Sequence, residues 1–129
     1  MKQSFLMILF CILNLPNISS AEWVPVLKNT TDDTIYYDPK MIVENGSKRH
    51  IRMYSNYANP KSDGKNSIFS SMMHLAIDCK MKTFSILQRI DYSYMDLQGN
   101  SYPKNFQYPK ISTIPNNSSI SELEKKICD

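Results

Sequence analysis

Two cysteines, Cys79 and Cys128, constrain the fold of this chain more than any other feature of its sequence. The chain has 3 cysteines, but Cys11 lies in an N-terminal segment that we expect to be removed on export. A pair of cysteines in an oxidising compartment is expected to form a disulfide. This bridge closes a loop of about 50 residues and, in the chain-entropy model, stabilises the fold by roughly 4 kcal/mol. The alternatives, a reactive thiol or half of a metal site, lack a CxxC pair or a third soft ligand.

The N-terminal residues 1–21 have the pattern of a secretory signal peptide. Lys2 supplies a positive charge, and the apolar run FLMILFCILNL after it is too short for an ordinary membrane span. Ser19 and Ala21 are the small residues that a signal peptidase requires, so we expect the mature chain to begin at Glu22. A lipoprotein signal needs a small residue where Phe10 stands. The sequence therefore predicts an exported chain without a lipid anchor or transmembrane segment.

The mature chain, residues 22–129, has the length of one domain with a single modest core. The whole sequence has 15 Lys and Arg against 12 Asp and Glu, and loss of Lys2 leaves 14 against 12. A net charge of about +2 is too weak to indicate nucleic-acid binding. Local groups of basic residues are typical of solvated faces.

Most of the mature chain alternates apolar and polar residues, the pattern of β-strands. Short strands are expected at Trp23–Lys28 and Thr34–Asp38, and a hairpin is expected around Asn45-Gly46. The second strand of the hairpin has a predicted core face, which contains Ile51, Met53, Ser55 and Tyr57, and a predicted wet face, which contains His50, Arg52, Tyr54 and Asn56. The polar segment 58–66, with Pro60 and Gly64, is predicted to be a loop.

Two long strands are expected after this loop. The first has one face of Met73, Leu75, Ile77 and Cys79, which points the cysteine inward. In the second, the alternate set is Phe84, Ile86, Gln88, Ile90, Tyr92 and Tyr94, with Gln88 as a polar exception. A turn is expected at Gly99, followed over residues 101–115 by an extended segment with little regular pairing, because that segment contains three prolines.

The hydrophobic period changes to that of a helix near the C-terminus. Ser119 and Glu122 are spaced as a capping box, and Ile120, Leu123 and Ile127 lie on one helical stripe. The disulfide would then attach this helix to the strand that contains Cys79. The predicted fold is α+β, an antiparallel sheet of five or six strands with a short C-terminal helix tied to it by the disulfide.

The chain resembles the surface-adhesin protein E family of small exported bacterial proteins. The resemblance rests on segments that run in family order through nearly all of residues 22–129: WVPV, YYDPKMI, the Gly46 turn, IRMY, IDCK, Gly99 and IPNNSSISELEKKIC. The sequence departs from the family at Met53 and Ile111, where members often have tryptophan. The resemblance implies a six-stranded antiparallel sheet with a disulfide-bound C-terminal helix. For an exported bacterial protein it also implies a location in the periplasm, on the outer-membrane surface or outside the cell.

The same resemblance implies adhesion to host matrix and plasma proteins such as vitronectin, laminin or plasminogen. It places the binding surface on the stretch Lys80 to Tyr94, with Lys80, Lys82, Arg89 and Tyr92 as the exposed candidates. An exposed edge strand also leaves pairing into a homodimer open.

Enzyme motifs are missing from the sequence. It has no GxSxG, HExxH or Gly-rich phosphate loop and only 3 glycines, so no catalytic residue, cofactor or metal is assigned. The prediction is an exported, non-enzymatic binding module. One alternative is a periplasmic housekeeping or inhibitor-type domain, and another is a small metal-binding protein that uses His50, His74 and Asp78.

Overall fold

The computed structural model describes residues 22–28, 32–107 and 109–129, so the expected signal peptide lies outside the described residues. These residues form an antiparallel sheet and one C-terminal helix. The strands are β1 (Val24–Lys28), β2 (Thr34–Tyr37), β3 (Val43–Asn45), β4 (Lys48–Ser62), β5 (Ser67–Asp78), β6 (Thr83–Tyr92), β7 (Ser101–Asn105) and β8 (Ser112–Thr113). A single 3-10 turn, Pro39–Met41, follows β2, and helix α1 spans Ser119–Ile127.

The sheet has more strands than the five or six expected from the sequence. Six strands form its main path in the order β1-β2-β4-β5-β6-β7, while β3 pairs with β4 and β8 pairs with β6. The two additional strands have 3 and 2 residues, too few for an alternating pattern to identify them. The predicted class, an antiparallel sheet with one C-terminal helix, is confirmed.

The core lies between one face of the sheet and α1. Its fully buried side chains include Ile51 of β4, Leu75 and Ile77 of β5, and Leu123 of the helix. Period-two alternation on two neighbouring strands therefore puts their apolar residues on the same side. We call this side of the sheet the helix face and the opposite side the outer face.

The helix begins one residue earlier than the expected capping box. Ser118 is the N-cap: its hydroxyl accepts a hydrogen bond from the backbone N–H of Ser121, and Ser121 Oγ accepts one from the Ser118 N–H. Serine thus performs at the third helical position the role expected of Glu122. The predicted stripe is confirmed, since Leu123 is buried and Ile120 and Ile127 pack against the core.

The disulfide between Cys79 and Cys128 is present, with the two Cα atoms 5.6 Å apart. Close to it, Lys82 Nζ donates a hydrogen bond of 2.6 Å to Glu124 Oε1. The turn between β5 and β6 is therefore attached to the helix by a covalent bond and an ion pair.

The predicted loop at residues 58–66 is wrong. Strand β4 continues through most of that segment to Ser62, and Lys61 and Ser62 pair with Ile68 and Ser67 of β5. The pairing register shifts between Asn56 and Lys61. Residues 58–62 therefore form an irregular, exposed end of β4, which we call the β4 extension. The sequence pattern did not predict this strand because neither of its sides has the apolar residues of a buried face.

The segment after Gly99 is also more regular than expected. Strand β7 pairs with β6 over five residues, with Pro103 opposite Ile90. Proline is tolerated there because β7 lies at the edge of the sheet. Among the described residues, no helix is long and apolar enough to cross a bilayer.

Candidate functional site

A β-bulge in β6 decides which side chains of this strand face the helix. Ile86 lies opposite Leu75, whereas Gln88 lies opposite His74, so two steps along β6 match one step along β5. Leu87 is the extra residue. An inserted residue reverses the alternation of side chains beyond it.

The expected common face of β6 is therefore wrong beyond Ile86. Gln88, Ile90 and Tyr92 lie on the outer face, opposite His74, Met72 and Ser70 in that order. Arg89 and Asp91 lie instead on the helix face, opposite Met73 and Ser71. The bulge thus gives the helix face a charged pair where plain alternation would have placed Gln88 and Ile90.

Asp91 is at the centre of a polar network on the helix face, and only 3% of its surface is exposed. Ser71 donates a hydrogen bond of 2.6 Å to Asp91 Oδ1. Arg89 Nε lies 3.2 Å from the same oxygen, and Lys104 Nζ lies 3.4 Å from Oδ2. Arg89 Nε is buried without a hydrogen-bond partner among the described residues, so its contact with Asp91 has the distance of an ion pair but not hydrogen-bond alignment. One buried carboxylate therefore lies between two cations.

A cleft of about 380 Å³ opens over this network. We call it the Arg89 cleft. Its charged lining residues are Lys61, Asp63, Arg89, Asp91 and Lys104, and its floor is made by Tyr57, Ile68, Met73 and Ile86. One wall belongs to the β4 extension that the sequence predicted to be a loop.

Contacts within the β4 extension and within the turn after it order this wall of the cleft. Lys61 Nζ lies 4.5 Å above the centre of the Tyr57 ring, a cation–π contact. Hydrogen bonds from the backbone of Asn66 and Lys65 lower the pKa of Asp63 to about 2. Burial raises the pKa of Tyr57, so its phenol stays neutral at ordinary pH. The cleft therefore has three cationic and two anionic side chains at neutral pH.

The structure does not bring the four predicted contact residues together. Lys80 and Lys82 are exposed at the turn between β5 and β6, and Lys82 is paired with Glu124. Arg89 is half-buried in the cleft on the helix face, while Tyr92 is half-buried on the outer face. A flat partner cannot contact Arg89 and Tyr92 at once, because the sheet separates them.

An aromatic cluster covers part of the outer face that the sequence predicted to be wet. Tyr54 stacks on Tyr36 with ring centres 4.6 Å apart and meets Trp23 edge-on at 4.8 Å. The Arg52 guanidinium lies 5.8 Å from the centre of the Trp23 ring. Burial, with the nearby Tyr36 hydroxyl and Asp96 carboxylate, raises the pKa of Tyr54 to about 12. Tyr54 is thus a packed residue, not a solvated one.

Hydrogen bonds hold the loop between β6 and β7 against the outer face of the sheet. Asn56 donates a hydrogen bond of 2.7 Å to Asp96 Oδ1 and accepts one of 2.8 Å from the Asp96 N–H. Ser70 Oγ donates to the carbonyl oxygen of Tyr94 at 2.6 Å. These bonds explain why Asn56 and Ser70 are buried polar residues.

The two histidines lie on neighbouring strands of the outer face. His50 pairs with Ala76, and Arg52 pairs with His74. Partial desolvation, together with the charges of Arg52 and His50, lowers the pKa of His74. Asp78 accepts hydrogen bonds of 3.0 Å from the backbone N–H groups of Lys80 and Met81. Among the described residues, no three His, Cys, Asp or Glu side chains are grouped so that they could hold a metal ion.

The main residues that the sequence analysis missed are Lys61, Asp91 and Lys104. An aspartate between Ile90 and Tyr92 in a strand pattern was the available signal, because a charged residue is expensive there unless it has partners. Lys61 and Lys104 had no signal in the local pattern. They come from segments distant in sequence and line the same cleft as Arg89 only because the strands pair.

Comparison with solved structures shows the same fold in proteins of low sequence identity. A structure of Haemophilus influenzae protein E matches with a TM-score of 0.63 at 15% identity, over 90% of each chain. A second crystal form matches with a TM-score of 0.65 at 14% identity, over 88% of this chain and 91% of that one. Protein E from non-typeable H. influenzae matches with a TM-score of 0.58 at 13% identity, over 88% of this chain and 79% of that one.

No curated protein sequence matches this chain. A family model described as surface-adhesin protein E matches residues 23–129, which is nearly all of the expected mature domain. The chain belongs to the surface-adhesin protein E family.

Proposed function

We propose that this protein is an exported, non-enzymatic, adhesin-like binding module that attaches a bacterial surface to host extracellular proteins such as vitronectin, laminin or plasminogen. The observation that carries the proposal is the family match over residues 23–129. Domain size and the disulfide are consistent with work outside the cell, where a small core benefits from a covalent cross-link. Such a module binds its partner through exposed side chains and catalyses no reaction.

Lys80 is the predicted contact residue best suited to a first test. Its side chain is exposed at the turn between β5 and β6, and among the described residues it forms no ion pair. Lys82, in contrast, is committed to Glu124, so its substitution would also disturb the attachment of the helix. The proposal retains Lys82, Arg89 and Tyr92 as further contacts, to be tested separately because they lie in different environments.

The test is binding of oxidised protein, residues 22–129, to immobilised vitronectin, laminin and plasminogen at low and high salt. Lys80→Glu is compared with Lys126→Glu, which makes the same charge change at an exposed helix residue without an ion pair among the described residues. Saturable binding that weakens with salt, and that Lys80→Glu reduces roughly fivefold while Lys126→Glu does not, is expected for a partly electrostatic contact.

Two results would contradict the proposal. Absence of saturable binding to all three proteins at micromolar concentration would remove host adhesion as the function of this member. Equal loss of binding in both variants would mean that net charge, and not the turn between β5 and β6, attracts the host protein.

A further inference from the structure

The Arg89 cleft is built by two departures from regular strand geometry. The bulge at Leu87 turns Arg89 and Asp91 toward the helix face, and the end of β4 with the turn after it adds Lys61 and Asp63 to the cleft lining. If the same sequence paired regularly, with Leu87 opposite His74, the helix face would receive Ile90, an apolar residue that would serve a core better. β-Bulges are over-represented at sheet edges and next to functional sites, where they redirect a side chain.

The charges of the cleft do not balance. Lys61, Arg89 and Lys104 are cations, and Asp63 and Asp91 are carboxylates, so one positive charge is left over. Asp91 is already engaged by Arg89, Lys104 and the Ser71 hydroxyl. Within the described part of the chain, Lys61 makes a cation–π contact with Tyr57 and no ion pair, which leaves its ammonium hydrogens available. A single added carboxylate would neutralise the surplus and receive hydrogen bonds from lysine.

The floor of the cleft is apolar, which restricts the kind of anion that fits. Tyr57 and Ile68 are buried, and Met73 and Ile86 pack against the core, so these apolar lining residues form the deeper part of the cleft together with the buried Ser71 and Asp91. A volume of about 380 Å³ is near the lower end of the range for small-molecule sites, which is roughly 300–1,000 Å³. An inorganic anion would leave this floor exposed to water, whereas a carboxylate joined to a small apolar group would cover it.

We propose that the Arg89 cleft binds a carboxylate attached to a small apolar group. The carboxylate lies between Lys61 and Lys104, beside the Arg89 guanidinium, and the apolar group rests on the floor. Two sources present this chemistry, a free small organic acid and the C-terminal residue of a protein. The proposal stands apart from host adhesion, since the cleft can bind such a ligand even if no host protein is recognised.

The test is an NMR titration of isotope-labelled protein with N-acetyl-leucine and, in parallel, with N-acetyl-leucinamide. The two probes share the apolar group and differ in whether they have a carboxylate. The acid is expected to shift the backbone signals of Ile68, Ser71 and Arg89 saturably, and the amide is not. A peptide ending in leucine, with a free or an amidated C-terminus, distinguishes the sources: tighter binding than N-acetyl-leucine indicates a protein terminus, and equal binding indicates a free acid.

Matched variants locate the site. Lys104→Gln and Lys61→Gln are each expected to weaken binding of the acid roughly fivefold, the usual size of one partly solvated charge contact. Lys110→Gln removes an exposed lysine outside the cleft and is expected to leave binding unchanged. Lys61 is exposed, so its substitution does not threaten the fold even if that of Lys104 does.

Several results would overturn the proposal. Equal shifts with the acid and the amide would mean that the carboxylate is not recognised. Shifts confined to residues outside the cleft, or no saturable shift at millimolar acid, would rule out the site. Unchanged affinity in a folded Lys61→Gln protein would remove the lysine from the recognition mechanism.

Discussion

Asp38 accepts a hydrogen bond of 3.2 Å from the guanidinium of Arg52, and the Asp38 side chain has no exposed surface. Its other carboxylate oxygen accepts from the backbone N–H of Lys40 at 3.1 Å and so caps the short 3-10 turn after β2. The Asp38 N–H in turn donates to the Arg52 carbonyl oxygen. The aspartate of the YYDPK segment is thus a structural residue that joins β2 to β4.

We expect Asp38→Ala to lower the free energy of unfolding by about 3 kcal/mol, because it leaves a partly buried guanidinium without its carboxylate. Asp38→Asn retains one acceptor and should cost less. Urea unfolding followed by circular dichroism measures both variants. Lys40→Ala, which removes only an exposed ion pair with Glu22, is the control and should change little. A loss below 1 kcal/mol for Asp38→Ala, a threshold set by a typical hydrogen bond of about 1 kcal/mol, would show that the pair is not structural.

Removal of the disulfide is expected to cost about 4 kcal/mol of unfolding free energy, since its cysteines are 49 positions apart in the sequence. The double variant Cys79→Ser/Cys128→Ser, and the wild-type protein in reducing agent, should show the same lowered urea midpoint. Adding reductant to the double variant is the control and should have no effect. A wild-type midpoint that does not respond to complete reduction would refute the role of the bridge.

Acid is expected to destabilise the protein through His74. Because partial desolvation and neighbouring charges lower the pKa of His74 below its ordinary value of 6.5, the unfolded chain binds a proton more readily than the folded one. The contribution of neutral His74 to the free energy of unfolding is fully present at pH values above the pKa of this residue in the unfolded chain. It decreases as the pH falls below that pKa and becomes constant below the pKa in the folded protein. His74→Gln should flatten the dependence of the melting temperature on pH between about 7 and 5. Identical pH profiles for the two proteins would show that other groups cause the acid effect.

Gly99 is expected to tolerate no side chain. Its φ is +83°, and a Cβ atom would collide with Ser93 Oγ and the Tyr94 ring in the loop between β6 and β7. Gly99→Ala should lower the unfolding free energy by about 2 kcal/mol, from backbone strain and the forced shift of the loop. Gly46→Ala has a similar φ of +62° but open space around it, so the difference between the two variants reports the collision. Equal losses would mean that the loop yields freely.

Deletion of Leu87 tests whether this residue is the extra residue of the bulge in β6. Without this residue, Ile86 and Gln88 would pair with Leu75 and His74 in a regular ladder, and every residue after it would keep its present face. The deleted protein should therefore fold with the Arg89 cleft intact. Signals of Ser71 and Arg89 in an NMR spectrum would remain near their wild-type positions. Loss of those positions in a folded deletion variant would show that the bulge shapes the cleft as well as setting the register.

Local patterns in the sequence predicted much of the fold correctly. The hairpin at Asn45-Gly46 and the inward face of β5 needed only turn chemistry and period-two alternation. The helix stripe around Leu123 needed only the 3.6-residue period, although the N-cap was displaced by one residue to Ser118. The pairing of Cys79 with Cys128 followed from cysteine number and expected compartment. Each of these features is encoded within a short segment or by the absence of an alternative partner.

The tertiary structure alone decided the features that depend on a neighbouring strand. The bulge at Leu87 exists because β5 fixes the register on both sides of it, and the β6 sequence marks the place only by the polar exception at Gln88. The β4 extension is a strand only because β5 supplies its hydrogen bonds. The alternation of apolar and polar residues indicates which side chains of a strand can lie on a buried face. The neighbouring strand determines where a bulge moves the following side chains to the opposite face. For this reason the sequence by itself determined the class of fold and its disulfide, whereas the tertiary structure assembled the cleft of Lys61, Arg89 and Lys104.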